Sequence, residues 1–483
     1  MPRSEIRQAD IAESARRQLG FSSLRPGQEQ AAGALLAGRD AVFIAPAGAG
    51  KSAVCQLAGG LMRGVTVIVS PTIIFQEDQA EPMDAGLSAG QEQPDRTGPI
   101  ASDSKADEAQ VIRLAPEQLR NPETIERLKA ASVSLFAVDQ AHCISRWGRD
   151  FRPDYLELAH VIEALGHPPV LAMTANASNE VRAEIVERLG LRNPEITVRG
   201  LDRPNISLRV DTFGRESEKL QAVLRRVEFA DKPGIVYVAT HAHAESIAGE
   251  LRSAGVDALA YHGGIKARDR ETIQNRFLEG DVPVIVATSA LGMGVGRPDI
   301  RFVYHADVSE SPDAYYQEIG RAGRDGKPAE AVLFYRTRDI SAQRYKTGAG
   351  KVDAEQLESV ATILVKPDGP QTPESLSRET GIPPRKLTNI LHKFQEAGAA
   401  RTLGRGLIRV TPEKSATEIA EAALRQQGLQ KQLRSRRLEQ MRDYAETRGC
   451  RRECLLRYFG EEYSGPCGNC DRCEENAALR RRA

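Results

Sequence analysis

The sequence predicts an α/β architecture with enough strands for two parallel sheets, followed by a winged helix and a small helical metal-binding module. Three observations carry that expectation. Between Ala41 and about Tyr335, short β-branched runs alternate with longer polar, helix-like stretches, the pattern of buried parallel strands joined by crossover helices. After residue 345 no such run recurs, and a helix-turn-helix pattern follows. Five of the seven cysteines then fall between Cys450 and Cys473. With 483 residues and about 150 per domain, roughly three domains are expected. Lys+Arg and Asp+Glu both number 66, which excludes a chain that is basic throughout and leaves any charged partner to local patches. No apolar run reaches the roughly 18–20 residues of a membrane span, and MPRSEIRQAD lacks the apolar stretch of a secretory signal. A cytoplasmic protein with no membrane partner is expected.

Taken in order, the runs AVFIA (41–45), VTVIVS (65–70), SLFAVD (134–139), PVLAMT (169–174), GIVYVA (234–239), PVIVAT (283–288) and RFVYHA (301–306) read as buried strands. The periodicity breaks at Leu201 to Asn205, LDRPN, which divides residues 1–203 from 204–345. Residues 350–412 read as a helix, a second helix ending at a Gly381 turn, a third starting at Pro384, and a hairpin around Gly404-Arg405-Gly406. That order describes a winged helix. Arg385, Lys386, Asn389 and Lys393 fall along one face of its third helix, with Arg405 at the wing tip, a surface suited to duplex contact. A winged helix used only for packing between domains fits the same residues. Residues 416–475 hold a long helix and the cysteine cluster, and 476–483 form a basic tail.

The first strand leads into Pro46-Ala47-Gly48-Ala49-Gly50-Lys51-Ser52 and then an apolar helix. Such a Gly-rich turn presents backbone N–H groups to phosphates, with Lys51 reaching the outer phosphates and Ser52 offering its hydroxyl to Mg²⁺. Ala45 stands where the strict pattern has Gly, and a Gly-rich turn that binds nothing is the alternative. Asp139, at the end of SLFAVD, sits where a carboxylate can hold a Mg²⁺-bound water opposite that loop.

The following stretch, Gln140-Ala141-His142 and then CISRWGRDFRPDY, closely resembles the RecQ family of superfamily 2 DNA helicases. The resemblance runs from Phe21 to about Tyr335 and returns over the cysteine cluster. It implies two RecA-like P-loop NTPase lobes that bind ATP·Mg²⁺ between them, 3′ to 5′ movement on single-stranded and forked DNA, a role in DNA repair and recombination, and a monomer that meets single-strand-binding protein. Motif by motif, it implies that Phe21 stacks on adenine while Arg25 and Gln28 bind it. It places Ser70 and Pro71 near the DNA backbone, and matches YHGGI with His262, ATSALGMGVGRPD with Thr288, and YYQEIGRAGRDG with Gln317, Arg321 and Arg324. Arg324 takes the arginine-finger role, supported by Arg321. Trp147, Phe151, Arg152 and Tyr155 resemble the family's aromatic-rich loop, a single-strand sensor that stacks on bases. Without the resemblance, Trp147 and Phe151 would read as core.

The chain departs from the family at one site. Gln140 replaces the Glu that accepts a proton from the attacking water, and an amide is no base. Ala47 replaces a Thr, and Thr174-Ala175-Asn176 replaces the TAT that couples ATP and DNA sites. A divergent, slowed ATPase and an engineered trap at Gln140 both fit. The functional alternative is therefore an ATP-gated DNA-binding protein with impaired hydrolysis; an RNA helicase is argued against by the aromatic loop and the cysteine module. For the cluster, Cys450 and the run Cys467, Cys470, Cys473 suit either Zn²⁺ or an iron–sulfur cluster by spacing. The family's zinc module implies Zn²⁺ on those four thiolates, with Cys454 in packing. The winged helix precedes this module instead of following it, and an HRDC-type domain is expected to be absent.

Overall fold

The computed structural model describes residues 11, 13, 16, 23–25, 27–46, 50–62, 64–71, 110–145, 152–291, 297–348, 352–366, 371–402, 407–410 and 414–482. Phe21, Gly48, Trp147, Phe151 and Arg405 lie outside them, as does the side chain of Arg385.

The first lobe runs α1 (Gln28–Leu36), β1 (Ala41–Ile44), α2 (Lys51–Leu61), β2 (Val65–Val69), β3 (Gln110–Leu114), α3 (Pro122–Ala130), β4 (Val133–Val138), α4 (Leu158–Ala164), β5 (Val170–Thr174), α5 (Asn179–Arg188) and β6 (Glu195–Val198). Its strands make one all-parallel sheet in the order β3-β2-β4-β5-β1-β6. The second lobe follows with β7 (Ile206–Thr212), α6 (Glu216–Phe229), β8 (Gly234–Tyr237), α7 (His241–Ser253), β9 (Ala258–Tyr261), α8 (Ala267–Glu279), β10 (Val284–Ala287), β11 (Phe302–His305), α9 (Pro312–Ile319), β12 (Ala329–Tyr335) and α10 (Thr337–Gly348). This sheet is also parallel throughout, in the order β7-β12-β11-β8-β10-β9. Both are RecA-like doubly wound sheets, in which ligand sites form beyond the carboxyl ends of the strands.

Every expected strand is present. Five more were not read from the sequence, and four of them, β3, β6, β7 and β9, are the edges of the two sheets. An edge strand pairs on one side only and keeps polar positions: β7 (ISLRVDT) alternates buried and half-buried residues, whereas β1 (AVFI) is buried throughout. The continuous apolar run that marks an interior strand is therefore missing at the edges.

Beyond the lobes stand α11 (Ala354–Leu364), α12 (Pro373–Thr380), α13 (Pro384–Glu396), the antiparallel pair β13 (Ala400–Thr402) and β14 (Ile408–Val410), α14 (Ala416–Glu446), α15 (Arg451–Tyr458) and α16 (Asp471–Arg482). Three helices and a hairpin, with Gln371 bridged to Ile408, make the winged helix. Thr372 caps α12 through its hydroxyl, and Gly381 ends that helix at φ +68. The 31-residue α14 starts in a capping box of Ser415 and Glu418. Instead of belonging to the cysteine module alone, it is shared: Ile419, Ala420 and Ala423 complete the winged-helix core, while Leu438, Met441 and Tyr444 enter the core between the lobes.

Candidate nucleotide site, nucleic-acid face and metal centre

β1 delivers Ala45 and Pro46 to the start of the phosphate loop, and Gly50 returns the chain into α2 at φ +82. A Cβ at Gly50 would sit 2.3 Å from Gln28 Nε2; that amide donates to Gly50 O at 2.9 Å while Gln28 Oε1 accepts from Arg25 N at 2.7 Å. Gln28 thus ties the segment expected to hold adenine to the phosphate loop. Lys51 opens α2, and its Nζ donates to Ala45 O at 2.8 Å and Pro46 O at 2.9 Å. Burial, together with Arg324, lowers its pKa to about 8 against the opposing pull of Asp139. Ser52 is exposed on the first turn of α2.

Asp139 follows β4, where burial raises its carboxyl pKa against the hydrogen bond from Gln140 N at 2.8 Å. Gln140 adopts φ +51, the left-handed region. Beside it, His142 Nδ1 meets Thr174 Oγ1 at 2.8 Å, and Thr174 donates its single proton to Asn176 O at 3.0 Å. His142 therefore carries its hydrogen on Nδ1. Asn176 in turn donates from Nδ2 to Asp313 O of the second lobe at 3.2 Å. The longer side chain of Asn makes this lobe-to-lobe bond, and the departure from TAT was its only sequence signal.

The second lobe supplies Gln317, half-buried on α9, then Arg321 and Arg324. Arg321 is buried and donates to Leu291 O at 3.3 Å. Arg324 keeps an exposed surface although protein surrounds most of it; that enclosure, with Arg321 and Arg203, lowers its pKa to about 10. Arg324 is also one of the groups that lower the Lys51 pKa, so the two cations, one from each lobe, lie within electrostatic reach of each other.

Several residues expected to touch DNA are placed differently. Tyr155 is fully buried and its hydroxyl donates to Asp139 O at 3.0 Å, so it braces the carboxylate segment and offers no face for a base. Ser70 and Pro71 are buried, and Pro71 O accepts from Arg152 Nη1 at 3.0 Å. Thr288 is buried, its hydroxyl accepting from Ala290 N, and His262 is buried with Nε2 at 2.9 Å from Glu245 and its ring stacked on His241. These side chains shape the loops at the strand ends. Arg152 alone among them is partly open, its guanidinium 3.8 Å from Glu117. On the winged helix, Asn389 is exposed and Lys386 lies 3.8 Å from Asp353. Lys393 is half-buried, and burial together with Arg434 of α14 lowers its pKa against the opposing pull of Glu396.

The metal centre is compact. The Sγ atoms of Cys450, Cys467, Cys470 and Cys473 all lie within 4.8 Å of one another, and Cys454 is outside the group. A Zn–S bond of about 2.3 Å spaces tetrahedral ligands about 3.8 Å apart; Cys467 Sγ and Cys473 Sγ are 3.8 Å apart. Four thiolates in this arrangement fit a closed Zn²⁺ site. Next to them Arg451 is fully buried, forked onto Asp471 at 2.7 and 2.9 Å and donating to Tyr444 O at 2.7 Å. Arg452 reaches Asp202 at 2.5 Å and Ile206 O at 2.7 Å between the lobes.

Comparison with known families agrees with this layout. Residues 25–184 match the DEAD/DEAH box helicase model, 218–326 the helicase conserved C-terminal domain, and 413–474 the RecQ zinc-binding model. The chain is 35% identical over 475 residues to the probable ATP-dependent DNA helicase RecS of Bacillus subtilis, covering 95% of this chain and 91% of that protein. It is 32% identical to the ATP-dependent DNA helicase RecQ of Pasteurella multocida over 94% of this chain but 60% of that one. Among solved structures, the Mycobacterium smegmatis helicase Lhr bound to ssDNA and AMP-PNP overlaps 82% of this chain and 59% of that one, with a TM-score of 0.48 at 20% identity. No described helix is long and apolar enough to cross a membrane.

Proposed function

This chain belongs to the RecQ family of ATP-dependent DNA helicases, and we propose that it couples ATP hydrolysis to 3′ to 5′ movement on single-stranded DNA and to unwinding of forked duplex. The observation that carries this reading is Lys51 at the head of α2, bonded to Ala45 O and Pro46 O, with Asp139 after β4 on the same lobe and Arg324 on the lobe that Asn176 joins through Asp313 O. Lys51 and Arg324 carry like charge, and a triphosphate bound between the lobes would neutralise both, so nucleotide draws the lobes together. Lys51 then exchanges its two loop carbonyls for phosphate oxygens. Ser52 and Asp139 would hold Mg²⁺, which would supply further charge neutralisation. Gln140 orients the attacking water, whose proton passes to an oxygen of the phosphate itself, and Arg324 meets the charge on the transferred phosphoryl group. Arg152, bonded to Pro71 O, and Tyr155, bonded to Asp139 O, give strand binding a short route to the carboxylate. One chain supplies both walls of the cleft, which supports a monomer as the working unit.

Gln140 supports a second reading, an ATP-gated DNA binder that closes on DNA and turns over too slowly to unwind. General-base catalysis is worth about 10²–10⁴ in rate, and restoring a carboxylate tests both readings. Gln140→Glu is expected to raise DNA-stimulated ATPase activity by about tenfold or more, measured at saturating ATP beside a fork-unwinding assay. Unwinding by both proteins supports the helicase; ATP-dependent DNA retention without turnover in the original chain supports the gated binder. An unchanged rate would show that Gln140 is not the limiting group.

A further inference from the structure

The segment Leu201 to Asn205 reads in sequence only as a boundary, yet in the fold it grips the loop that carries Arg321 and Arg324. Arg203 donates from Nη1 to Gly320 O at 3.0 Å, and from Nη2 to Ala322 O at 2.8 Å and Gly323 O at 2.9 Å. Asn205 Nδ2 donates to Gly323 O at 2.8 Å and Lys327 O at 2.8 Å. The accepting carbonyls lie on both sides of Arg321 and Arg324 in the chain. At their centre Gly323 takes φ +55, where a Cβ would come within 2.4 Å of Asn205 Nδ2 and 2.8 Å of Lys327 O, so the approach of Asn205 to this turn requires glycine there.

The clamp is itself fixed from outside. Arg452 holds Asp202 at 2.5 Å and Ile206 O at 2.7 Å, Asn469 Nδ2 donates to Pro204 O at 2.8 Å, and the Tyr316 hydroxyl donates to Leu201 O. A planar guanidinium with five donors can satisfy several carbonyls at fixed angles, which a lysine cannot do. Arg203 also brings positive charge next to Arg324, one of the groups that lower the Arg324 pKa. An anion arriving at Arg324 relieves that repulsion.

We propose that Arg203 and Asn205 are positioning residues for Arg324: by clamping the Gly320–Lys327 loop they hold its guanidinium in register with the transferred phosphoryl group. This rests on the reading of Arg324 as the arginine finger. Neither residue touches nucleotide, so both act through Arg324.

The test uses the full chain with single-stranded DNA and reads affinity for ADP–aluminium fluoride–Mg²⁺, which reports transition-state contacts without turnover, beside affinity for ADP. Arg324→Ala is expected to weaken the fluoride complex by about tenfold or more while ADP binding stays within about twofold. Arg203→Ala should do the same to a lesser degree, about fivefold, and Arg203→Lys should fall between it and the original chain. The Arg203→Ala/Arg324→Ala double variant should bind no more weakly than Arg324→Ala, because the clamp has nothing left to position. If Arg203→Ala does not fold, Asn205→Ala and Arg203→Lys carry the same comparison, with thermal melting as the control. An Arg324→Ala loss with unchanged affinity in the clamp variants overturns the proposal, as does a double variant weaker by the product of the two losses. An Arg324→Ala variant that binds normally overturns the finger reading and this inference with it.

Discussion

The zinc module and the winged helix are both small additions beyond the second lobe, joined by the same helix, and they attach to the motor in opposite ways. The zinc module has no core of its own. Leu455, Leu456, Phe459, Cys470 and Cys473 belong to the same apolar cluster as Val42 of the first sheet and Ile285 of the second. Its polar groups are also spent on the lobes: Arg452 on Asp202, Asn469 on Pro204, Tyr458 on Asp313, and Arg182 of α5 on Phe459 O. The winged helix keeps a closed core of Leu357, Val360, Leu376, Ile390, Leu391 and Phe394, completed by the first turns of α14. The difference teaches that proximity in sequence to the metal cluster is a poor guide to what the motor depends on. A module whose core is continuous with the interlobe core fixes how the lobes meet, whereas one with a separate core can be lost without disturbing them.

The largest expected effect follows from the buried Arg451–Asp471 fork. Arg451→Ala leaves Asp471 buried and unpaired, a change worth about 3–5 kcal/mol, and urea denaturation should show the whole motor losing stability, with nucleotide affinity falling in parallel. A loss confined to the zinc module, with the lobes unaffected, would break the comparison. Next in size, Leu391→Ala removes a buried side chain from the winged-helix core at a cost of about 2–4 kcal/mol. Here the expected result is a separate early melting transition with ATP affinity unchanged, checked by calorimetry and nucleotide titration.

The smallest effect sharpens the boundary between the winged helix and α14. Burial and Arg434 depress the Lys393 pKa. A lysine whose folded pKa lies below its unfolded value costs stability while it stays charged, and the cost disappears as pH rises through both values. Lys393→Met should therefore stabilise the winged-helix transition by about 0.5 kcal/mol at pH 7, and its advantage should narrow toward pH 10. An advantage that grows with pH would mean that Glu396 dominates.

What could be read beforehand follows from how each feature is encoded. Lys51, Asp139 and the four cysteines were legible because their chemistry is local: a strand, a turn and a helix for the first, a strand end for the second, a spacing for the last. Interior strands other than β12 announced themselves as apolar runs, while β3, β6, β7 and β9 did not, their free edges allowing polar residues. Tyr155 read as a stacking group through its resemblance to the family's aromatic-rich loop, yet it is buried against Asp139 O. Burial is decided by what packs on top, and the sequence pattern of that segment is the same either way.

By itself the sequence determined two parallel α/β units, a phosphate loop with its carboxylate partner, a winged helix and a four-thiolate cluster, all of them products of periodicity or short spacing. Only the tertiary structure decided that Arg324 lies within electrostatic reach of Lys51, that Asn176 reaches Asp313, that Arg203 and Asn205 clamp a loop more than a hundred residues away, and that the zinc module shares the interlobe core. The physical reason is common to all four. Each joins segments far apart in the chain through charge, hydrogen bonds or burial that carry no period, and it exists only once two sheets and the cysteine module have closed around the same space.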